Sequence, residues 1–495
     1  MSLLPFMIKI QKTYCYIFEY LYLFVMVIYM AQMTPETGRM VGTLSGNPIP
    51  FLIPIVLTII LLIRHPISFL HRNLWLFVGV MFIWSVAVCY KFRDFSSSNL
   101  SYYFFLFYAI FMAFIHVCVY RRKLFPIYEH IMVVFSVISL CLWGISVLFP
   151  WSEGFFRVFP ETPNGNNVLY LFHWTNPTSV QVYNGIVRNQ GCSWEPGRFA
   201  VMLIPAIFIN LSREGIKFRN NKKIIILLLA LASTFSTTGY SITILLYFIF
   251  WFNRVNAKAI FTFLFILLPV SIYFYSLDFM GGKIQDRANI EELTDIHLQV
   301  IEYNEKKYGD EYLASLDRFE SAYFEWNNFK REPLLGYGRN WDYSWFRQEI
   351  SENFALTGGL VKTLSQYGLV IAILLYSILF YSSVKISRAI NHRHKLVFAI
   401  LRPKAEHRGH AFNHRHKRVI AFIRPQTKRR RHALNHRHKL TSPIQRPKAE
   451  RGGHTFNHQH KLAFALVLLF SSISYNVFCV PIFTAFWLYG LFCHK

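Results

Sequence analysis

Apolar residues along this chain come in blocks of roughly 15 to 25, the length with which a helix crosses about 30 Å of hydrocarbon. Short polar segments rich in lysine and arginine separate the blocks. We therefore predict an all-α polytopic membrane protein with about 11 to 12 transmembrane helices. The predicted spans are 14–32, 48–63, 73–90, 102–120, 126–149, 198–212, 223–237, 239–252, 259–277, 358–383, 462–476 and 478–492.

The short polar segments orient these helices. Cytoplasmic loops carry an excess of lysine and arginine, and a cytoplasmic N-terminus places nearly all such segments on one face. Two long segments, 150–197 and 278–357, then face outward. The first apolar run lacks a small-residue cleavage pattern and is expected to remain as a helix. The cytoplasmic basic positions are Lys9 and Lys12, Arg64 and Arg72, Arg121 to Lys123, Arg213 to Lys223, Arg254 and Lys258, and the block 384–461.

This topology divides the chain into regions that alternate between membrane and water. The predicted regions are N-terminal transmembrane helices at 1–149, a first outward loop at 150–197, central transmembrane helices at 198–277, a second outward loop at 278–357, a transmembrane helix at 358–383, a basic cytoplasmic loop at 384–461, and C-terminal transmembrane helices at 462–495.

The formal net charge of +26 is concentrated in one tract with a repeat of 22 residues. The sequence NHRHK begins at 391, 413 and 435, and NHQHK begins at 457. We interpret 391–456 as a tandem duplication of a helix-start segment that forms a solvated basic insertion, and not as a nucleic-acid site. Metal binding through His-x-His, binding of anionic lipid or RNA, and loss of activity through the insertion are the alternatives.

Cysteine usage argues against a disulfide framework. The seven cysteines lie mostly within or beside apolar runs and include no CxxC pair. We expect no structural disulfide and no zinc site.

Glu19, inside the first apolar run, is a functional candidate as an intramembrane acid, or it reaches water at the inner end of that run.

A charged segment joins the first outward loop to the next apolar run. It reads Arg188-x-x-Gly191 and then Glu195-Pro196-x-Arg198. Two arginines and a glutamate at the bilayer edge carry a desolvation cost that a merely structural loop would avoid. Arginine pairs bidentately with phosphate oxygens, so the segment indicates an anionic ligand at the membrane surface. Anchoring to lipid headgroups is the alternative for each arginine.

Further motifs follow in order. Ser-Thr-Thr-Gly at 236–239 interrupts an apolar helix pair, and Arg318 precedes a short amphipathic stretch and a Pro-Leu-Leu-Gly-Tyr-Gly turn at 333–338. Together with the Arg188 segment, this set resembles the loop signatures of bacterial O-antigen polymerases, the Wzy-type polymerases of oligosaccharide repeat units, and of the related O-antigen ligases. The resemblance covers about residues 180–380.

The resemblance implies a GT-C-like membrane glycosyltransferase that needs no metal or other cofactor. Such an enzyme would polymerise polyprenyl-pyrophosphate-linked repeat units into O-antigen, capsular polysaccharide or exopolysaccharide at the outer face of the bacterial inner membrane. Its expected partners are lipid-linked glycans, membrane lipids and a chain-length regulator, but no nucleic acid.

The resemblance also assigns roles to individual residues. Glu195, Arg188 and Arg318 would be catalytic, with Glu195 either accepting the proton of the acceptor hydroxyl or orienting an arginine. Arg188 and Arg318 would bind from opposite outward loops that fold together over the membrane. The pyrophosphate-binding set is Arg188, Arg198, Arg318 and Arg339, and the loop-shaping set is Gly191, Pro196, Gly336 and Gly338.

Two departures from the family pattern bear on the function. Thr237 stands where many relatives carry arginine, and the only histidine between 278 and 357 is His297, well before the glycine turn. Since the ligases are associated with a histidine in the second loop, this favours a polymerase. The alternatives are a ligase that transfers glycan to the lipid A core, and a transporter or flippase of lipid-linked sugars, which would place polar or broken helices near the midplane.

Overall fold

Apolar blocks form helices wherever the structure describes them. The computed structural model describes residues 17–27, 49–149, 152, 167–169, 172–174, 182–183, 186–193, 195–215, 221–252, 318–349, 359–401, 463–469 and 481–493. Every predicted span within these ranges contains a helix, whereas the span 259–277 and residues 402–456 of the basic tract lie outside the described residues.

The chain is mainly helical, as predicted, and its helices are numbered in chain order. They are α1 (Ile17–Val27), α2 (Ile49–Arg64), α3 (Arg72–Phe92), α4 (Ser97–Tyr120), α5 (Leu124–Leu148), α6 (Pro196–Glu214), α7 (Lys222–Ser233), α8 (Thr237–Phe252), α9 (Arg318–Arg331), α10 (Trp345–Glu349), α11 (Leu360–Leu401), α12 (463–469), α13 (Pro481–Trp487) and α14 (Tyr489–Phe492), with 3₁₀ turns at Arg121–Lys123 and Trp341–Tyr343.

Three helical segments among the described residues are long and apolar enough to cross a membrane: Arg72–Phe92, Asn99–Leu148 and Leu360–Ile390. The second comprises α4 and α5, which are 24 and 25 residues long. The chain breaks between them at Arg121, whose φ of 47° is left-handed. By length and composition, these segments support a membrane protein.

The segment predicted as the first outward loop contains two short hairpins that the all-α prediction did not include. Strands β1 (Asn167–Leu169) and β2 (Phe172–Trp174) pair antiparallel, with Val168 opposite His173. Strands β3 (Val182–Tyr183) and β4 (Ile186–Val187) pair in the same sense. The second hairpin ends directly before Arg188, so it fixes where the charged segment begins.

Helix α6 is the central helix of the described bundle. All but three of its 19 residues are buried, and α5, α7 and α8 pack around it. A helix that is apolar all round belongs in the interior. Tyr128 of α5 donates to the carbonyl oxygen of Met202 at 2.9 Å, which ties the two helices together. Because Glu195 and Arg198 lie at the start of α6, this end of the charged segment rests on the rigid core.

Polar clusters join the helices at the end where the basic segments lie. Glu129 of α5 is buried, forms an ion pair with Arg213 of α6, and accepts a hydrogen bond from Asn210 at 2.9 Å. Glu19, the predicted functional candidate, lies 3.0 Å from His65 and 3.7 Å from Lys123. These partners give both carboxylates a structural role.

The chain divides into two compact units, and the boundary falls at the first repeat. One unit comprises Met1–Ile390 with Gln459–Lys495, and the other is Asn391–His458. The basic tract is therefore separate from the unit that carries the predicted site residues.

Candidate functional site

The segment that follows β4 docks against the end of α7. The amide nitrogen of Asn189 donates to the Ser233 carbonyl at 2.9 Å, and its side-chain amide donates to the Ser233 hydroxyl at 2.8 Å. The Trp143 indole of α5 donates to the Val187 carbonyl at 2.6 Å. These bonds fix the backbone on both sides of Arg188.

The Arg188 guanidinium donates hydrogen bonds to the turn between α7 and α8. Its Nε donates to the Thr234 carbonyl and its Nη2 to the Phe235 carbonyl, both at 3.1 Å. The last carbonyls of a helix lack partners within the helix and carry partial negative charge, so a cation is favourable there. The structure thus gives this arginine a capping role that the sequence did not predict, and it holds the guanidinium plane in a defined place.

Gly191 and Phe199 account for the sharp turn that leads into α6. Gly191 is buried with φ +57°, and a Cβ at this position would lie 2.6 Å from the Phe199 ring. Only glycine adopts such a conformation without steric cost. The turn brings the chain back to Glu195, where α6 begins.

Glu195, Pro196 and Arg198 form the first turn of the central helix. Pro196 occupies the first helical position, where its missing N–H leaves no bond unmade. The Glu195 carboxylate lies 4.0 Å from Nε of Arg198, and both side chains are partly exposed. This pair can orient the arginine, one of the two roles predicted for Glu195.

An apolar pocket of about 710 Å³ lies between α5, α7 and α8. Trp143, Ser233 and Phe235 line it, and these three residues also hold Val187, Asn189 and Arg188. The docked segment therefore borders the pocket, so a cationic group lies beside an apolar space. The other lining residues are Leu140, Leu228, Leu229, Leu231, Ala232, Tyr240, Thr243 and Ile244.

The segment predicted as the second outward loop docks at a break in α11. Gly368 has φ 70° and ψ 170°, which interrupts the helix and deprives neighbouring backbone groups of their helical partners. The turn at 333–338 supplies partners: the amide of Tyr337 donates to Ser365, and the amide of Gly338 donates to Gln366. The Leu369 amide donates back to the Pro333 carbonyl at 2.7 Å, so the turn completes the broken helix.

Glycine allows this close approach. A Cβ on Gly336 would lie 2.5 Å from the Gly368 amide nitrogen, and a Cβ on Gly338 would lie 2.5 Å from the Tyr103 hydroxyl. Both glycines have left-handed φ, +68° and +62°. The Trp84 indole of α3 also donates to the Leu335 carbonyl at 2.9 Å, which ties the turn to a membrane-length helix.

The predicted joint site of Arg188 and Arg318 is not tested by these contacts. Arg318 begins α9, and its side chain lies outside the described part of the structure. Arg339 is exposed beside the glycine turn. The first segment is held by α5 and α7, whereas the second is held by α3 and α11. A single shared pyrophosphate site remains a prediction.

Sequence reasoning missed a buried polar group beneath the second segment. Glu325 of α9 is fully buried and accepts a hydrogen bond from the Ser365 hydroxyl of α11. Burial raises the pKa of Glu325, and the nearby Lys362 charge opposes that shift. One signal was available: Ser321, Glu325 and Asn328 recur at helical spacing on one buried face of α9.

No family model, no curated protein and no solved structure matches this chain. Its class therefore rests on its own features. Within the described residues, three membrane-length helical segments and a mainly helical fold support the class of helical membrane proteins, by length and composition.

Proposed function

We propose that this protein polymerises polyprenyl-pyrophosphate-linked oligosaccharide repeat units into O-antigen or another surface polysaccharide at the outer face of the bacterial inner membrane. The observation that carries this proposal is the position of Arg188 beside an apolar pocket. A lipid-linked glycan needs both features, since its prenyl chain is apolar and its pyrophosphate is anionic.

The chemistry of the reaction suits these residues. A hydroxyl of one repeat unit attacks the anomeric carbon of another, the bond from that carbon to the pyrophosphate oxygen breaks, and the hydroxyl proton passes to a base. The leaving pyrophosphate gains negative charge, which preorganised cations stabilise. Arg188 and Arg198 provide such cations. Glu195 lies 4.0 Å from Arg198 and can orient it, and its partly exposed carboxylate is our candidate for the base that accepts the proton.

The capping bonds of Arg188 favour this role, because a fixed guanidinium loses little freedom when a ligand binds. Bidentate pairing with phosphate also depends on its plane and not only on its charge. Lysine at this position would keep the charge and lose that geometry.

The test is complementation in a bacterial host that lacks its own polymerase, read as the ladder of polysaccharide lengths on a gel. Arg188→Ala and Arg188→Lys should leave single repeat units unextended. Arg331→Ala is the matched control, since Arg331 is an exposed arginine of the second segment that pairs with Glu349 at 3.3 Å. It should keep the full ladder.

A second pair of variants tests the pocket independently of the capping bonds. Ala232→Trp fills the pocket from α7 and should shorten or abolish the ladder. Ile225→Trp places the same bulk on an exposed position of α7 that does not line the pocket, and it should be neutral. Full ladders from both Ala232→Trp and Arg188→Lys would overturn the proposal.

The rival functions predict different products. A ligase would attach glycan to the lipid A core in a ligase-deficient host and would not lengthen repeat units. A flippase would restore outward display of single repeat units in a host lacking one.

A further inference from the structure

The turn at 333–338 binds backbone groups that an unbroken α11 would pair with each other. In a continuous α-helix the amide of residue 369 donates to the carbonyl of residue 365. Here the Ser365 carbonyl accepts instead from the Tyr337 amide at 2.9 Å, and the Leu369 amide donates to the Pro333 carbonyl at 2.7 Å. Both groups of this helical bond therefore have a substitute partner in the turn.

The same exchange recurs one residue further along α11. The Gln366 carbonyl accepts from the Gly338 amide at 2.8 Å, whereas its partner in a continuous helix is the amide four residues later. The turn and the helix thus compete for two successive carbonyls. Because the Leu369 amide has a single hydrogen, it donates either to Pro333 or to Ser365, so this part of α11 has two alternative pairings.

A membrane favours this exchange over simple opening of the break. The segment Leu360–Ile390 is long and apolar enough to cross a bilayer, and an unpaired backbone group within hydrocarbon is costly. If the turn leaves, the freed groups of Ser365, Gln366 and Leu369 regain partners once the helix becomes continuous. The groups of the turn belong to a segment predicted to face outward, where water replaces their partners.

Gly368 is the residue whose backbone must change between the two pairings. Its φ of 70° and ψ of 170° interrupt α11, and a Cβ at this position would overlap the Leu334 carbonyl oxygen. Glycine adopts both this conformation and a helical one, because it has no Cβ. The broken pairing requires a glycine here, and the continuous pairing tolerates it.

Contacts with α3 hold the docked turn in the structure. The Trp84 indole donates to the Leu335 carbonyl at 2.9 Å, and Lys91 forms an ion pair with Glu332 directly before the turn. These two contacts do not involve α11. They add to the docked pairing and are lost when the turn leaves, so the docked pairing is the resting one.

We propose that the turn at 333–338 and Gly368 form a two-state latch. In the latched state the turn is docked and α11 is broken, whereas in the released state α11 is continuous and the turn has left α3 and α11. Release would free the segment Arg318–Glu349 from these helices while the backbone of α11 keeps its partners. One element with two discrete arrangements is the usual basis of a conformational switch. This latch does not depend on the proposed polymerase function.

Hydrogen–deuterium exchange of the full-length protein in detergent, resolved to single amides by fragmentation in the mass spectrometer, distinguishes release from simple undocking. Release exposes the Tyr337 and Gly338 amides to water but gives the Leu369 amide a new partner in Ser365. In the wild type, Tyr337 and Gly338 should therefore be less protected than Leu369. Equal or lower protection of Leu369 would mean that the three amides open together and would overturn the proposal.

Gly368→Ala should shift the equilibrium toward release, because alanine disfavours the left-handed φ, overlaps a carbonyl of the turn and favours a continuous helix. Exchange of the Tyr337 and Gly338 amides should accelerate about tenfold or more, whereas Leu369 should exchange no faster than in the wild type. The matched control is Gly144→Ala inside α5, where no described atom lies within 4 Å of the position that the Cβ would take. It should leave all three amides unchanged.

Val370→Pro should block the released state. Proline lacks the amide that a continuous α11 needs and clashes with the carbonyl four residues before it, but it is tolerated in the first turn after the break. Val370 is 61% exposed, so the change loses little packing. In the double variant Gly368→Ala/Val370→Pro, Leu369 should lose protection together with Tyr337 and Gly338. Detergent that merely shields Leu369 would do so in both the single and the double variant.

The variants also give the outcomes that contradict the latch. It falls if Tyr337 and Gly338 exchange unchanged in Gly368→Ala, if Leu369 accelerates with them in that single variant, or if Leu369 stays protected in the double variant. Should Gly368→Ala misfold, seen as lost protection throughout α6, Val370→Pro alone decides. It should abolish the wild-type difference in protection between Leu369 and the two turn amides, and a persisting difference would refute the latch.

Discussion

Gly336 and Gly368 lie so close that a Cβ on Gly336 would meet the amide nitrogen of Gly368 at 2.5 Å. One glycine belongs to the turn at 333–338, and the other breaks α11. Because each has left-handed φ, neither position accepts a larger residue without strain. Their contact docks the turn at 333–338 against the break in α11.

Gly336→Ala should therefore undock this turn. We expect a loss of about 2 kcal/mol or more in the free energy of unfolding, from the left-handed φ and the clash together. Gly79→Ala is the matched control: Gly79 lies inside α3, and no described atom lies within 4 Å of the position that its Cβ would take, so alanine should stabilise by about 0.5–1 kcal/mol. Denaturation in detergent measures both, and equal stabilities would contradict the predicted docking.

Gly191→Ala should disturb the turn into α6 for two reasons, its φ of +57° and its contact with Phe199. Phe199→Leu separates these reasons, because the smaller side chain relieves the contact and leaves the left-handed φ of Gly191 unchanged. We expect Gly191→Ala to lose more than the about 1–2 kcal/mol that a left-handed backbone costs alone, and to lose less in the Phe199→Leu background. Thermal unfolding measures both losses, and equal losses in the two backgrounds would refute the steric explanation.

Glu129→Ala should be strongly destabilising, by about 3–5 kcal/mol, because it leaves Arg213 partly buried without its main partner. Glu214 also lies near Arg213, at 3.8 Å, but its side chain is 47% exposed where that of Glu129 is 1% exposed. Glu214→Ala should change stability by no more than about 1 kcal/mol. Chemical denaturation of the two variants gives the comparison.

Stability should depend on pH through Glu325. Burial raises the pKa of this side chain, and the Lys362 charge and the hydrogen bond from Ser365 only partly oppose that shift. As pH rises, the unfolded chain releases this proton first. The contribution of Glu325 to stability is therefore fully present below about pH 4.3 and is lost as pH rises through the raised pKa.

Unfolding midpoints measured from low to neutral pH should show this loss in the wild type. Glu325→Gln should lack it, and Glu349→Gln, which alters an exposed carboxylate, should follow the wild type. Parallel curves for all three proteins would contradict the assignment.

Deletion of residues 391–456 should leave membrane insertion and polymer length unchanged. The deletion removes most of the separate unit Asn391–His458 and joins Ile390 to Asn457, which restores a short basic loop. The polysaccharide ladder and a membrane fraction blot are the measurements. Loss of polymer at normal expression would assign a function to the basic tract.

Much of the fold follows from the sequence, because helices in this chain form from local apolar blocks whose length is set by the membrane. The spans predicted at 73–90 and 126–149 correspond to α3 and α5, and the repeat at 391 marks the boundary of the second unit. The charged segment at 188–198 could likewise be identified from the sequence, because arginine and glutamate are charged whatever their tertiary contacts.

Only the tertiary structure decided what these residues contact. The capping of α7 by Arg188, the completion of broken α11 by the turn at 333–338, and the burial of Glu325 against Ser365 all join positions that are far apart in the sequence. Such pairings depend on which backbone groups a break leaves unsatisfied and on which helices pack together. Neither is encoded in local periodicity, so the burial of Glu325 and the docking of the turn at 333–338 became visible only in the folded chain.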